Sequence, residues 1–162
     1  MDKRLEGLLL VVGGLLLIGS GALYYLYPKL DIGLNKGSAA IANGVALSFQ
    51  PSKTMVAINE QFIVSVLADT KGHSVSATDL RVNFSGAGVL VSSIAAGNFL
   101  PVVLVPGSIG SGTATIILGS QPTAPAQGTG ILATITLKAT QNGLVQLSFD
   151  NNTQVAAIGQ SG

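Results

Sequence analysis

The chain's only histidine, His73, stands in a polar loop, Asp69-Thr70-Lys71-Gly72-His73. With Ser74 or Ser76 and Asp79 it offers the residue types of a nucleophile, a base and an orienting acid. That chemistry also needs fixed geometry and an oxyanion hole, and no motif around these residues supplies either. His73 therefore reads as a solvated loop histidine. A glycosidase needs two carboxyl groups flanking one bond. Beyond the N-terminal apolar run the carboxylates are Asp31, Glu60, Asp69, Asp79 and Asp150, and none has an acidic neighbour in sequence. No catalytic residue is assigned, and the chain does not read as an enzyme.

Two other groupings carry chemistry. Asp150-Asn151-Asn152-Thr153 is rich in oxygen ligands, and Asp150 and Asn152 could join Asp69 around a Ca²⁺ ion. The regular spacing of a calcium loop is missing, and the competing reading is an Asx-type turn between strands. No other cofactor is expected. The glycine-rich piece Gly107–Gly112 precedes a strand, whereas a phosphate loop opens a helix; it reads as turn chemistry. Asp79, Arg81 and Asn83 alternate with Leu80, Val82 and Phe84. They form a polar stripe that could contact a partner, with Arg81 as an anchor, since arginine is enriched at interface hot spots.

The elements that must position these groups follow from a change of period. Gly7 to Tyr27 is 21 residues without a charge. As a helix it reaches about 30 Å, the hydrocarbon thickness of a bilayer. Tyr24, Tyr25 and Tyr27 suit the interface, and Pro28 ends the helix. We read residues 1–6 as cytoplasmic, 7–27 as a transmembrane helix or uncleaved signal anchor, and 28–44 as a flexible tether. A secretory signal cut near Ser20-Gly21-Ala22 is the alternative. Lys3 and Arg4 beside the apolar start place the N-terminus inside, so either reading sends the C-terminal domain outside the cell.

From Val45 onward the period is two. Thr78–Phe84 shows it most clearly, one face apolar and the other polar, as expected of an antiparallel sheet between core and water. Similar runs lie at 45–49, 62–66, 89–94, 100–105, 113–118, 131–138 and 144–149, with weaker ones at 55–57 and 153–158. Gly and Pro clusters separate them. About nine short strands at this spacing predict a β-sandwich or jelly roll over 45–162. The whole chain has no cysteine, so packing alone must hold the domain. Its charged fraction is 9% with a net charge of +1 and no basic patch, which argues against a nucleic-acid partner. It has no tryptophan, and its three tyrosines border the apolar run. Phe49, Phe62, Phe84 and Phe149 point inward by alternation, which leaves a sugar-stacking platform without rings.

Four segments resemble the cohesin family: VALSFQPSKTMVAINEQFIVSVLAD at 45–69, SATDLRVNF at 76–84, GTGILATITLKAT at 128–140 and NGLVQLSFDNNTQVA at 142–156. The corner Asn59-Glu60-Gln61-Phe62 is similar to a family corner, and the glycine-led run at 128–138 is the most specific piece. Two departures stand out. Phe84–Leu90 replaces the family's aromatic-Asx-Pro segment, and the chain ends at Gly162, where the family usually adds a strand, so the sheet is either truncated or completed differently. The resemblance implies a nine-stranded jelly-roll sandwich that docks dockerin modules and lacks catalytic groups. Joined to the single transmembrane helix read from the apolar run, it gives a non-catalytic, membrane-anchored extracellular module that docks a protein, either a dockerin-like partner or a copy of itself. A carbohydrate-binding module linked to polysaccharide attachment or catabolism is the alternative, and a structural subunit of a surface layer or filament is a third.

Overall fold

The computed structural model describes residues 29–34, 40–42 and 44–158, with side chains placed for 44–157. Alternation builds most of its strands. β3 (Val45–Pro51) buries Val45 and Leu47. β5 (Gln61–Asp69) buries Phe62, Val64, Val66 and Ala68, every second residue. β6 (Ser74–Ser85) buries Thr78, Leu80 and Val82 and leaves Asp79, Arg81 and Asn83 on the opposite face. β9 (Thr113–Gly119) buries Ala114, Ile116 and Leu118, and β11 (Gly143–Phe149) buries Val145 and Leu147. β7 (Val89–Ala96) contributes Val91 and Ile94, and β12 (Gln154–Ile158) contributes Val155. In β10 (Thr129–Ala139) the alternation breaks: Leu132 and Ala133 are both fully buried. The pairing with β5 shifts register between Ile131 and Ala133, as a β-bulge requires, because one extra residue changes the face of everything beyond it.

The remaining strands are β1 (Lys29–Leu34), β2 (Ala40–Ala42), β4 (Met55–Ala57) and β8 (Val102–Ile109). Two sheets result. One has the order β4-β1-β11-β6-β9-β8, with β12 also paired to β6; the other runs β2-β3-β5-β10-β7. Their apolar faces meet in one core. Phe49 of one sheet stacks on Phe149 of the other, with centroids 4.1 Å apart and planes 8° from parallel. Such a pair adds about 0.5–1.5 kcal/mol beyond the area it buries. Phe62 is buried, and Phe49, Phe84, Phe99 and Phe149 pack partly buried against the core. No buried side-chain nitrogen or oxygen among the described residues lacks a hydrogen bond.

The architecture is the expected all-β sandwich, with corrections. Twelve strands, not about nine, occur among the described residues. The two strands beyond the ten runs read above come from the segment expected to be a tether: β1 pairs in parallel with β11 and antiparallel with β4, while β2 pairs with β3. Neither announces itself by alternation, because each is short; β1 also takes its hydrogen bonds from strands distant in sequence. The seven-stranded sheet thus continues past β11 through β1 and β4. The span expected over 7–27 lies outside the described residues. No helix long and apolar enough to cross a membrane occurs among the described residues.

The altered corner after β6 is a tight turn. Gly86 has φ +121°, and a Cβ there would stand 2.1 Å from the carbonyl oxygen of Leu144. Both the backbone angle and the neighbouring strand exclude a side chain. Although Gly86 is exposed, Gly86→Ala is expected to lose about 1–3 kcal/mol, read as a lower urea midpoint at unchanged slope.

Candidate functional site

β11 and β12 run along the same side of β6 as one interrupted strand. Phe149 lies opposite Val82, and the next pairing is Gln154 opposite Asp79. Residues 150–153 therefore bulge out over Leu80 and Arg81. The backbone of Arg81 serves the bulge: its carbonyl accepts from Asp150 N at 2.9 Å and from Thr153 Oγ1 at 2.8 Å, and its N–H donates to Thr153 Oγ1 at 3.3 Å. Asp150 closes the bulge. Its Oδ1 accepts from Asn152 N and Nδ2, each at 2.8 Å, and its Oδ2 accepts from Asn83 Nδ2 at 3.0 Å. The Asn152 backbone N–H, then the Asn83 and Asn152 side chains, hold the Asp150 carboxyl below its ordinary range.

The stripe expected from alternation is present and is organised by this bulge. Arg81 donates from Nε and Nη2 to the two carboxylate oxygens of Asp79, at 3.1 and 2.9 Å. That forked pair raises the guanidinium further above its already high value, and Asp150 adds to the effect. Two of the guanidinium's five N–H donors are used, so the rest face outward on a side chain that is 45% exposed. Asp79, Arg81 and Asn83 therefore come together with Asp150 and Asn152 in one polar patch.

The proposed calcium set does not assemble. Asp69 ends β5 in the other sheet, where its carboxylate accepts from Lys71 N at 3.0 Å and pairs with Lys71 Nζ at 2.7 Å. Those bonds, Lys71 Nζ first, hold its pKa low. Between the Asp69 loop and the bulge, β6 runs from Ser74 to Arg81, roughly 20 Å of extended chain. A calcium ion reaches only about 2.3–2.6 Å to each ligand, so Asp69 cannot share one with Asp150 and Asn152. The turn reading of 150–153 is the one the hydrogen bonds describe. The serine-histidine-aspartate grouping is also dispersed: Asp79 is engaged by Arg81, Ser76 Oγ donates to Ala156 O, and Ser74 Oγ accepts from Gln127 Nε2.

The strand expected over Leu100–Val105 occurs later along the chain, as Val102–Ile109. Leu100 is buried, but in β8 Leu104 is 55% and Val105 47% exposed. β8 is the edge of its sheet, with two register shifts along its pairing with β9. The usable signal was Pro101 and Pro106, since proline within a sheet belongs to edges and bulges. Val105 lies opposite Ile117, Ile117 opposite Asp79, and Thr115 opposite Arg81. An apolar margin of Leu104, Val105 and Ile117 thus borders the polar stripe. No aromatic ring occurs among the large exposed apolar residues described.

No protein-family profile matches the sequence, and no curated protein matches it in sequence. Solved structures do match in fold. The second type II cohesin module of the cellulosomal adaptor scaffoldin ScaA of Acetivibrio cellulolyticus superposes with a TM-score of 0.55 at 14% identity, over 70% of this chain and 88% of that one. The sixth cohesin of scaffoldin B from the same organism, solved with a dockerin, gives 0.55 at 16% over 70% and 86%. A type II cohesin–X–dockerin complex from that organism gives 0.55 at 12% over 71% and 91%. At these identities the likeness is one of fold: the domain is a cohesin-like sandwich.

Because Asp150 titrates lower in the folded chain than in the unfolded one, its contribution to stability is full above about pH 4, its unfolded value. That contribution disappears as pH falls through the folded value. Asp150→Asn should therefore melt below the parent at pH 7, with the gap in Tm closing as the pH is taken toward 2.

Proposed function

We propose that this chain is a non-catalytic docking module whose outer β6-β9-β8 face grips a protein partner. The observation that carries the reading is the face itself. A forked Asp79–Arg81 pair, held in place by the bulge at 150–153, lies beside an exposed apolar margin on a rigid sheet. Protein interfaces combine these parts: an arginine with free donors, apolar neighbours that exclude water from it, and a scaffold that needs no ordering on binding. The other sheet offers a contrasting surface. Its outward positions on β3, β5 and β10 include Ser48, Ser65, Thr134 and Thr136, and Ile63 is the large exposed apolar side chain on those three strands.

The cohesin-like fold suggests a dockerin-type module as the partner, since two of the superposing structures contain cohesins with dockerins. The uncharged stretch from Gly7 to Tyr27 supports a single-pass anchor with the sandwich outside the cell. Anchoring raises the effective concentration of partners on the same surface, so modest individual contacts suffice.

The test uses detergent-solubilised full chain as bait against proteins of the native cell surface. The parent is expected to retain a partner. Arg81→Ala and Val105→Asp should each weaken that capture by roughly tenfold or more, the scale of an interface hot spot. Lys71→Ala, in the loop that joins β5 to β6, should leave it unchanged. Equal capture by all four proteins would remove the β6-β9-β8 face from consideration.

A further inference from the structure

The large exposed apolar side chains fall into two groups. Four lie on β8. The other four are Met55 at 55%, Ile63 at 46%, Leu90 at 57% and Leu144 at 48% exposure. They come from four different strands, yet the register gathers them at one end of the sandwich. Met55 and Leu144 both flank Asp31 on β1. Leu90 lies opposite Lys138 and Ile63 opposite Thr136, near the end of β10.

That end is also where the chain enters. Lys29 opens β1 opposite Ala57, and Leu30 lies opposite Gly143. The turns at the same level are Gly86-Ala87-Gly88 and Thr140-Gln141-Asn142, which carry no charge. They are packed together: Thr140 N donates to Gly88 O at 2.8 Å, and a Cβ on Gly88 would stand 2.5 Å from Gln141 O. The neighbouring Lys53 and Glu60 neutralise each other in an ion pair. At the far end lie Asp69, Lys71 and His73.

Only Pro28 separates the uncharged run ending at Tyr27 from the first residue of β1. One residue spans at most about 3.6 Å. An anchored chain therefore has no slack to hold the domain off the bilayer. We propose that the end of the sandwich bearing Met55, Ile63, Leu90 and Leu144 rests on the lipid surface, with its uncharged turns among the headgroups. The sheets then stand up from the membrane, and the docking face looks sideways along it. Exposed apolar side chains at headgroup depth are stabilised as in interfacial membrane segments. This inference rests on reading residues 7–27 as an anchor.

The absence of cysteine in the whole chain permits single labels. The full chain would be reconstituted into phosphatidylcholine vesicles with a nitroxide-headgroup quencher, carrying a fluorophore at Ala87→Cys, Gln141→Cys, Lys71→Cys, Gln121→Cys or Leu16→Cys. β6 alone is 12 residues long, so the two ends stand about 30–40 Å apart along the strands. Strong quenching at 87 and 141, with none at 71 and 121, is the expected result. A water-shielded label at 16 with equal or reversed quenching at the two ends would overturn the seating while leaving the anchor in place. A water-exposed label at 16 would overturn both.

Discussion

Everything in this domain depends on two apolar sheet faces closing on each other without a covalent staple. Phe62, Val64 and Val66 of β5 and Ile135 and Leu137 of β10 share one core with Leu80 and Val82 of β6 and Ile116 and Leu118 of β9. In a strand the side-chain period is two, so burying one face fixes the other. A slip of one residue in β6 would carry Arg81 into the core and Leu80 into water. The core therefore specifies where the polar stripe points, and the stripe needs no machinery of its own to face outward.

In the bulge between β11 and β12 the ladder gives way to a polar cluster. Arg81's backbone groups bond to Thr153 and Asp150 instead of to an opposing strand. Asp150 is satisfied by amides from its own turn and from Asn83. Such a cluster is electrostatically self-contained. Its hydrogen bonds hold Asn83 and the Arg81 backbone in fixed positions.

What the sequence made legible, and what it did not, follows from these forces. The alternation in β5 and β6 marked inward and outward residues correctly, because those strands bury one full face. The 128–138 run marked β10 but not the bulge at Leu132, since an extra residue in a uniformly apolar stretch leaves no trace in the pattern. β1 and β2 were hidden because both are short, and β1 pairs with β11, far along the chain. β8 was legible as a strand but not as an edge, because a run of Val and Leu reads the same whether it is central or marginal; only Pro101 before it and Pro106 within it separate the two. The oxygen-rich groups at Asp69 and Asp150 looked combinable in sequence. The length of β6 keeps them apart, and a distance of that kind cannot be read before the topology is known.

The claim that matters most is that a partner binds across β6, β9 and β8. Its most direct test is an NMR titration of the isotope-labelled chain with the captured partner, following backbone amides and the Arg81 Nε–H. The account predicts shift changes centred on Asp79–Asn83, Leu104, Val105 and Thr115–Ile117. Changes centred instead on the outward residues of β3, β5 and β10 would contradict it.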